Sequence, residues 1–248
     1  MRLILIRGLG RDQLHWQPLL KILHQFFPDA LIETPDLPGT GILHNESSPT
    51  QLAQYIPWLN QQLSNSKEPA ILVGLSLGGM IALKWAEQSP DKFLQLVLIN
   101  SSSRLNYFFQ RLKLHQVVCY PEILFSKNKQ ITENATYRLT CNNRPVNPSL
   151  IDEWVEIQRR HPVKRQNQLR QIIAAIRFKL PKAENLPPVH VLYSVADRLV
   201  SSQCSKSLIQ HYDATWDKHV WAGHDLAQDD PDWIVTRLQR LLDAENIE

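Results

Sequence analysis

Glycine is scarce in this chain, at eight among 248 residues, about half of ordinary usage. Cysteine is scarcer. Cys119, Cys141 and Cys204 are odd in number and far apart, which excludes a disulfide framework or a cysteine-rich zinc site. No apolar run approaches the roughly 20 residues that a membrane-crossing helix needs. The "LILI" after Met1-Arg2 is too short for a signal-peptide apolar region and lacks a small-residue cleavage site, so a cytoplasmic protein is expected. Internal repeats and low-complexity tracts are missing too, which rules out a solenoid. With 43% hydrophobic and 21% charged residues, the chain reads as one large globular domain, or as a core carrying an insertion.

What is there alternates. Short β-rich runs at 2–7, 30–34, 70–75, 94–100, 189–194 and 216–221 read as strands, and most are continuously apolar, as expected of parallel strands buried on both faces. Between them the pattern predicts helices at 13–26, 50–64, 77–89, 199–211 and 230–243, with Thr50 and Asp230 as N-caps and Pro231 in a first turn. Strand and helix in strict alternation predict a mostly parallel sheet flanked by helices. The alternation stops after "LINSSSR" (98–104) and resumes near Leu186. Helical stretches at about 104–118, 149–160 and 164–179 predict an all-helical insertion, with "LPKAENLPPV" (180–189) as the return linker.

The eight glycines fall in four short stretches: "RGLG" (7–10), "DLPGTG" (36–41), "VGLSLGG" (73–79) and "AGHD" (222–225). Each follows a predicted strand, so all four loops leave one edge of a parallel sheet, the edge where such folds bind ligands. Gly74-Leu75-Ser76-Leu77-Gly78 fits G-x-S-x-G, a sharp strand-to-helix turn that lifts a serine hydroxyl clear of the sheet. That hydroxyl needs a base, and the base needs an orienting carboxylate. His224 is the histidine in a glycine-marked loop. His190 and His219 fall within predicted strands, where packing roles are expected. His15, His24, His115, His161 and His211 fall on predicted helices and His44 on a loop. Asp197, just past the strand at 189–194, is the expected carboxylate, with Asp213 as second choice. For the oxyanion, the expected donors are the backbone N–H groups of Leu77, at a helix start, and Leu9, in the loop after the first strand.

These motifs make the chain resemble the α/β-hydrolase-fold superfamily. An H-G-x-G-like turn, D-x-P-G-x-G, G-x-S-x-G-G, D-R-x-V and a G-H loop follow in order. The resemblance implies a core at 1–103 and 183–248, a helical cap at 104–182 and a Ser76–Asp197–His224 triad. Among its branches the short single-cap enzymes look nearest, including pimeloyl-carrier-protein methyl ester esterases and the small carbon–carbon lyases of menaquinone synthesis. One position departs: Arg7 stands where the family's histidine usually precedes the oxyanion glycine. It either braces that loop or faces the substrate.

Charge is uneven. Residues 104–182 hold 15 Lys/Arg against 5 Asp/Glu, and the rest hold 12 against 19. A basic cap on an acidic core would steer anions toward it. The expectation is therefore a serine esterase or thioesterase without metal or organic cofactor, acting on a small or medium acyl group. Its substrate would be a simple ester or thioester, or one carried by an acidic acyl carrier protein or coenzyme A. Two other readings stand beside it: a lyase using the same triad on an anionic substrate, and a binding protein without turnover. Neither nucleic acid nor membrane is an expected partner, since no recognition module is visible.

Overall fold

The structure is a computed structural model that describes residues 1–113 and 119–245. The described residues form a sheet of six strands, every neighbouring pair parallel. They are β1 (Arg2–Ile6), β2 (Leu31–Glu33), β3 (Ala70–Leu75), β4 (Phe93–Ile99), β5 (Val189–Ser194) and β6 (Thr215–His219), in the order β2-β1-β3-β4-β5-β6. Continuous apolarity has a direct explanation. Leu3, Leu5, Ile71, Val73, Val97, Ile99 and Leu192 pack on one face, and Ile4, Ile6, Leu72, Leu96, Leu98, Val191 and Tyr193 on the other. With no face left to water, alternation gives way to a run.

In chain order the helices are α1 (Gln17–Phe26), α2 (Ile56–Gln62), α3 (Leu77–Gln88), α4 (Phe108–Arg111), α5 (Cys119–Phe125) and α6 (Lys129–Thr140). Then come α7 (Pro148–Arg160), α8 (Arg165–Arg177), α9 (Ser202–Tyr212), α10 (Leu226–Asp229) and α11 (Pro231–Glu245). Helices α1, α10 and α11 cover one face of the sheet; α2, α3 and α9 cover the other.

Several expected boundaries move, and proline explains two of them. The run at 13–26 begins as a 3-10 turn over Gln13–Trp16, with Pro18 in the first turn of α1. The run at 50–64 splits into a 3-10 turn over Leu52–Tyr55 and α2, with Pro57 at the start of the latter. A residue with no N–H and a fixed φ suits a first turn and not a helix interior. Thr50 is not an N-cap, because Gln51 holds that position; the Thr50 hydroxyl instead accepts from Arg177 Nη1 at 3.2 Å. Asp230 does cap α11, its carboxylate accepting from Trp233 N at 3.1 Å.

Every regular element described between β4 and β5 is a helix or a 3-10 turn. Of the stretch expected at 104–118, Phe108–Arg111 is helical and 114–118, with His115, lies outside the described residues. Helix α6 is one that the sequence pattern conceals: "KQITENATYRLT" is polar on most of its surface, and its inward side chains include Glu133 as well as Ala135, Tyr137 and Leu139. Tyr137, Cys141, Ile151, Trp154, Val155 and Ile157 make a small core of their own for this insertion. Arg11, from the loop after β1, docks onto it. Its guanidinium lies 4.2 Å from the Trp154 ring centre and donates to Glu133 Oε2 at 2.6 Å.

Candidate active site

The strand order reverses around β1: the chain steps to β2 on one side, then to β3 on the other. Such a switch point opens a crevice at the carboxyl ends of the strands. Here Ile6 pairs with Gly74, so the loops at Gly8–Gly10 and Ser76 emerge side by side. Ser76 has φ 57° and ψ −116°, a backbone state costing a non-glycine residue on the order of 1–3 kcal/mol. The surroundings hold it there. Ser76 N donates to Ile99 O at 2.8 Å, and Ser76 O accepts from Gly79 N at 3.0 Å and from the Ser101 hydroxyl at 2.8 Å. Two glycines make the turn sterically possible. A Cβ on Gly78 would sit 2.1 Å from Ile6 O, and one on Gly74 would sit 2.5 Å from Gly78 C. Leu77 then opens α3, and its N–H is among those that a helix start leaves without an intrahelical partner.

Asp197 and His224, 27 residues apart in sequence, meet across the ends of β5 and β6. His224 Nδ1 donates to Asp197 Oδ2 at 2.7 Å, both side chains almost fully buried. Asp197 Oδ1 accepts from Leu199 N and Val200 N at 2.7 and 2.9 Å, which fixes the carboxylate and leaves Oδ2 for the imidazole. Asp213 lies elsewhere, as the left-handed C-cap of α9. His190 and His219 are buried and hydrogen-bonded to Thr215 and Asp230, respectively.

Several residues of this neighbourhood carry no signal in a sequence pattern. Asn100, at the end of β4, takes a left-handed conformation with φ 46°. Its amide donates to Gly223 O and His224 O at 3.2 and 2.9 Å, and its carbonyl accepts from Ser194 N at 2.8 Å. A single side chain thus ties three strand ends together. Asp229 accepts from Gly223 N at 2.6 Å and from Asn142 N at 2.7 Å, and burial raises its carboxyl above the ordinary value. Asn142 also donates to Ala196 O and Trp221 O at 3.1 and 2.8 Å. The stretch after α6 therefore staples the loop of Asp197 to the loop of His224.

Arg7 is only 3% exposed. Its Nη1 and Nη2 donate to Asp225 Oδ1 and Oδ2 at 3.1 and 2.5 Å, and the guanidinium lies 4.6 Å from the Trp16 ring centre. This geometry ties the loop after β1 to the residue following His224. Burial alone would raise the Asp225 carboxyl. The Arg7 charge and hydrogen bonds, with Arg11 and His15 beyond, outweigh it and hold the group below the ordinary carboxylate value.

Among the described residues no cluster of three or more His, Cys, Asp or Glu is arranged to hold a metal ion, and no helix is long and apolar enough to cross a membrane. Cys119, Cys141 and Cys204 are buried and unbridged.

A parallel sheet with this switch point, a strained serine turn and a histidine loop at its edge defines an α/β hydrolase, and the chain belongs to the alpha/beta hydrolase family, whose pattern matches residues 3–237. Its relatives narrow the field. Over 104 residues it is 34% identical to a pimeloyl-[acyl-carrier protein] methyl ester esterase of Wigglesworthia glossinidia brevipalpis, a match covering 41% of this chain and 37% of that protein. The enzyme of the same name from Aliivibrio fischeri is 34% identical over 104 residues, covering 42% and 38%. The chain thus spans well under half the length of these curated relatives. Among solved structures, a putative lipase from Acinetobacter baumannii superimposes with a TM-score of 0.77 at 21% identity, covering all of this chain and 85% of the other. A thermophilic esterase from Thermogutta terrifontis gives 0.76 at 15% identity, covering 98% and 90%.

Proposed function

We propose that the chain is a serine hydrolase cleaving a carboxylic ester or thioester, with an anionic, carrier-bound acyl ester as its substrate. The observation that carries this is the buried 2.7 Å hydrogen bond from His224 to Asp197, at the same sheet edge as the strained Ser76 turn. In this reading Asp197 holds the His224 ring in one tautomer, with Nδ1 protonated and Nε2 free to act as base. His224 takes the Ser76 proton as Oγ attacks the carbonyl carbon. The N–H groups of Leu9 and Leu77 stabilise the resulting oxyanion. His224 then protonates the leaving alcohol or thiol, and water releases the acyl group by the same steps in reverse order.

Residues 104–182 form the cap, and their charge supports an anionic partner. Many of the cap arginines have structural bonds: Arg111 donates to Ala175 O, Arg165 to Phe125 O and Arg170 to Ser48 O. Those acceptors are neutral, so the positive charge persists. Part of it, on Arg104, Arg177 and Lys179, lines a cavity of about 480 Å³ at the cap–core seam, together with Leu52 and Lys84 of the core; none of Ser76, Asp197 and His224 lines it. The curated relatives named for a carrier-protein methyl ester point to the same class of substrate.

Hydrolysis of nitrophenyl esters of increasing chain length, by wild type and Ser76→Ala, is the test. The variant should lose about 10⁴-fold or more in turnover while unfolding at the same temperature. Retained hydrolysis in Ser76→Ala would refute the nucleophile. Silence of folded wild type on all esters, free and carrier-bound, would favour the lyase or binding reading.

A further inference from the structure

We propose that Gln171, a side chain of α8 in the helical insertion, is a positioning residue for the oxyanion turn after β1; this rests on the hydrolase reading above. The turn "RGLGRD" is poorly closed by its own backbone. Its internal bond, from Arg11 N to Gly8 O, is 3.4 Å long, well beyond the usual 2.9–3.0 Å. Gly10 sits in the left-handed region at φ 67°, a state that glycine adopts freely and also leaves freely. What holds it comes from 161 residues away: Gly10 N donates to Gln171 Oε1 at 2.9 Å.

Gln171 is itself completely buried and fixed at its other end. Its Nε2 donates to the Ser48 hydroxyl at 3.3 Å, and that hydroxyl donates to Pro38 O at 2.6 Å. One turn earlier on α8, Asn167 Oδ1 accepts from Ser48 N at 3.0 Å. The same helix thus grips the loop after β1 and the loop after β2. Gly10 N–H belongs to the amide plane that joins Leu9 to Gly10. Anchoring that plane sets the direction in which the preceding Leu9 N–H points, and Leu9 is the expected oxyanion donor. Without Gln171 Oε1, Gly10 N–H is a buried donor without a partner, and such a group drives the turn to rearrange until it finds one. The insertion therefore shapes the oxyanion site.

Three variants test this. Gln171→Met keeps the length and removes both the acceptor for Gly10 N and the donor to Ser48; in Gln171→Glu, burial without a counter-ion favours the neutral acid, which keeps a carbonyl oxygen for Gly10 N and a hydroxyl to donate to Ser48. Asn147→Ala removes the N-cap of α7, whose side chain accepts from Ser149 N, and so weakens the same insertion away from the turn. With a saturating nitrophenyl ester, Gln171→Met should lower kcat about ten- to a hundred-fold at nearly unchanged KM, since a displaced donor costs less than a deleted one. Gln171→Glu should recover most of the loss, and Asn147→Ala should lower the unfolding temperature but not kcat. Binding of a trifluoromethyl ketone, which forms an oxyanion adduct on a serine, should weaken in Gln171→Met in proportion to the fall in kcat/KM. Wild-type kcat in folded Gln171→Met, or equal losses in Gln171→Met and Asn147→Ala, would overturn the proposal. These outcomes are separable from failure of the hydrolase reading, which shows as hydrolysis persisting in Ser76→Ala.

Discussion

Asp225 keeps a charge where there is almost no water, and Arg7 is the reason that it can. Replacing Arg7 with Met would leave a buried carboxylate without its counter-ion, at a cost of about 3–5 kcal/mol near neutral pH. The pH dependence has a definite sign. In the wild type the folded pKa of Asp225 lies below the unfolded one, so its contribution is complete above the ordinary value of about 3.9 and is lost as pH falls through the lowered folded pKa. In Arg7→Met burial dominates and raises the group, so its penalty is relieved as pH falls. Denaturant melts from pH 7 to pH 4 should therefore show the gap between the two proteins narrowing; a gap that widens would refute this account of the brace. Gly78 gives a second test at this scale. Its missing Cβ leaves room for Ile6 O, a backbone atom of a central strand that cannot move aside, so Gly78→Ala should destabilise by at least about 3 kcal/mol or yield no folded protein. Thermal unfolding of the purified variant decides it. Of these residues, Ser76 and Gly78 are legible from spacing alone, whereas the Arg7–Asp225 pair joins positions 218 apart that no local pattern connects.

Among the elements, the inner strands are the most legible, because burial on both faces leaves a continuous apolar run that few helices imitate; the edge strands β2 and β6 are partly exposed and are marked by their place in the alternation. Each is displaced by two residues or fewer at either end. Helix starts shift where proline selects a first turn, as at Pro18 and Pro57. Helix α6 escapes the pattern because its buried face carries Glu133, whose charge is matched by Arg11 from the other end of the chain. Between elements, Asn100 performs a connection that no periodicity announces. Asn100→Gly would keep the left-handed backbone and delete three buried hydrogen bonds among β4, β5 and the His224 loop. At about 0.5–1.5 kcal/mol each, the expected loss is about 2–4 kcal/mol, with a fall in kcat as the histidine loop loosens. Chemical denaturation combined with ester hydrolysis measures both, and a variant of wild-type stability and turnover would remove Asn100 from the site's support.

For the molecule as a whole, the separation of charge carries a prediction about substrate. A basic insertion on a more acidic core should accelerate capture of an anionic carrier-bound ester and leave a small neutral ester indifferent. Raising ionic strength from about 0.01 to 0.15 M shortens the screening length from about 30 to 8 Å. Under that change kcat/KM on the carrier-bound ester should fall about tenfold or more, and on a nitrophenyl ester should stay within about twofold. Equal salt profiles for the two would deny the insertion a steering role. The sequence by itself determined the inner strands of the sheet, since apolar runs need two covered faces, and it singled out the loops of the candidate site, since scarce glycines collect where the backbone must bend or approach closely. Tertiary structure alone decided which partners those loops acquire. Gln171 reaches Gly10, Asn142 bridges the loops of Asp197 and His224, and Arg7 turns inward to Asp225, because hydrogen bonds and ion pairs between distant segments depend on how folded elements stack and leave no period in the chain.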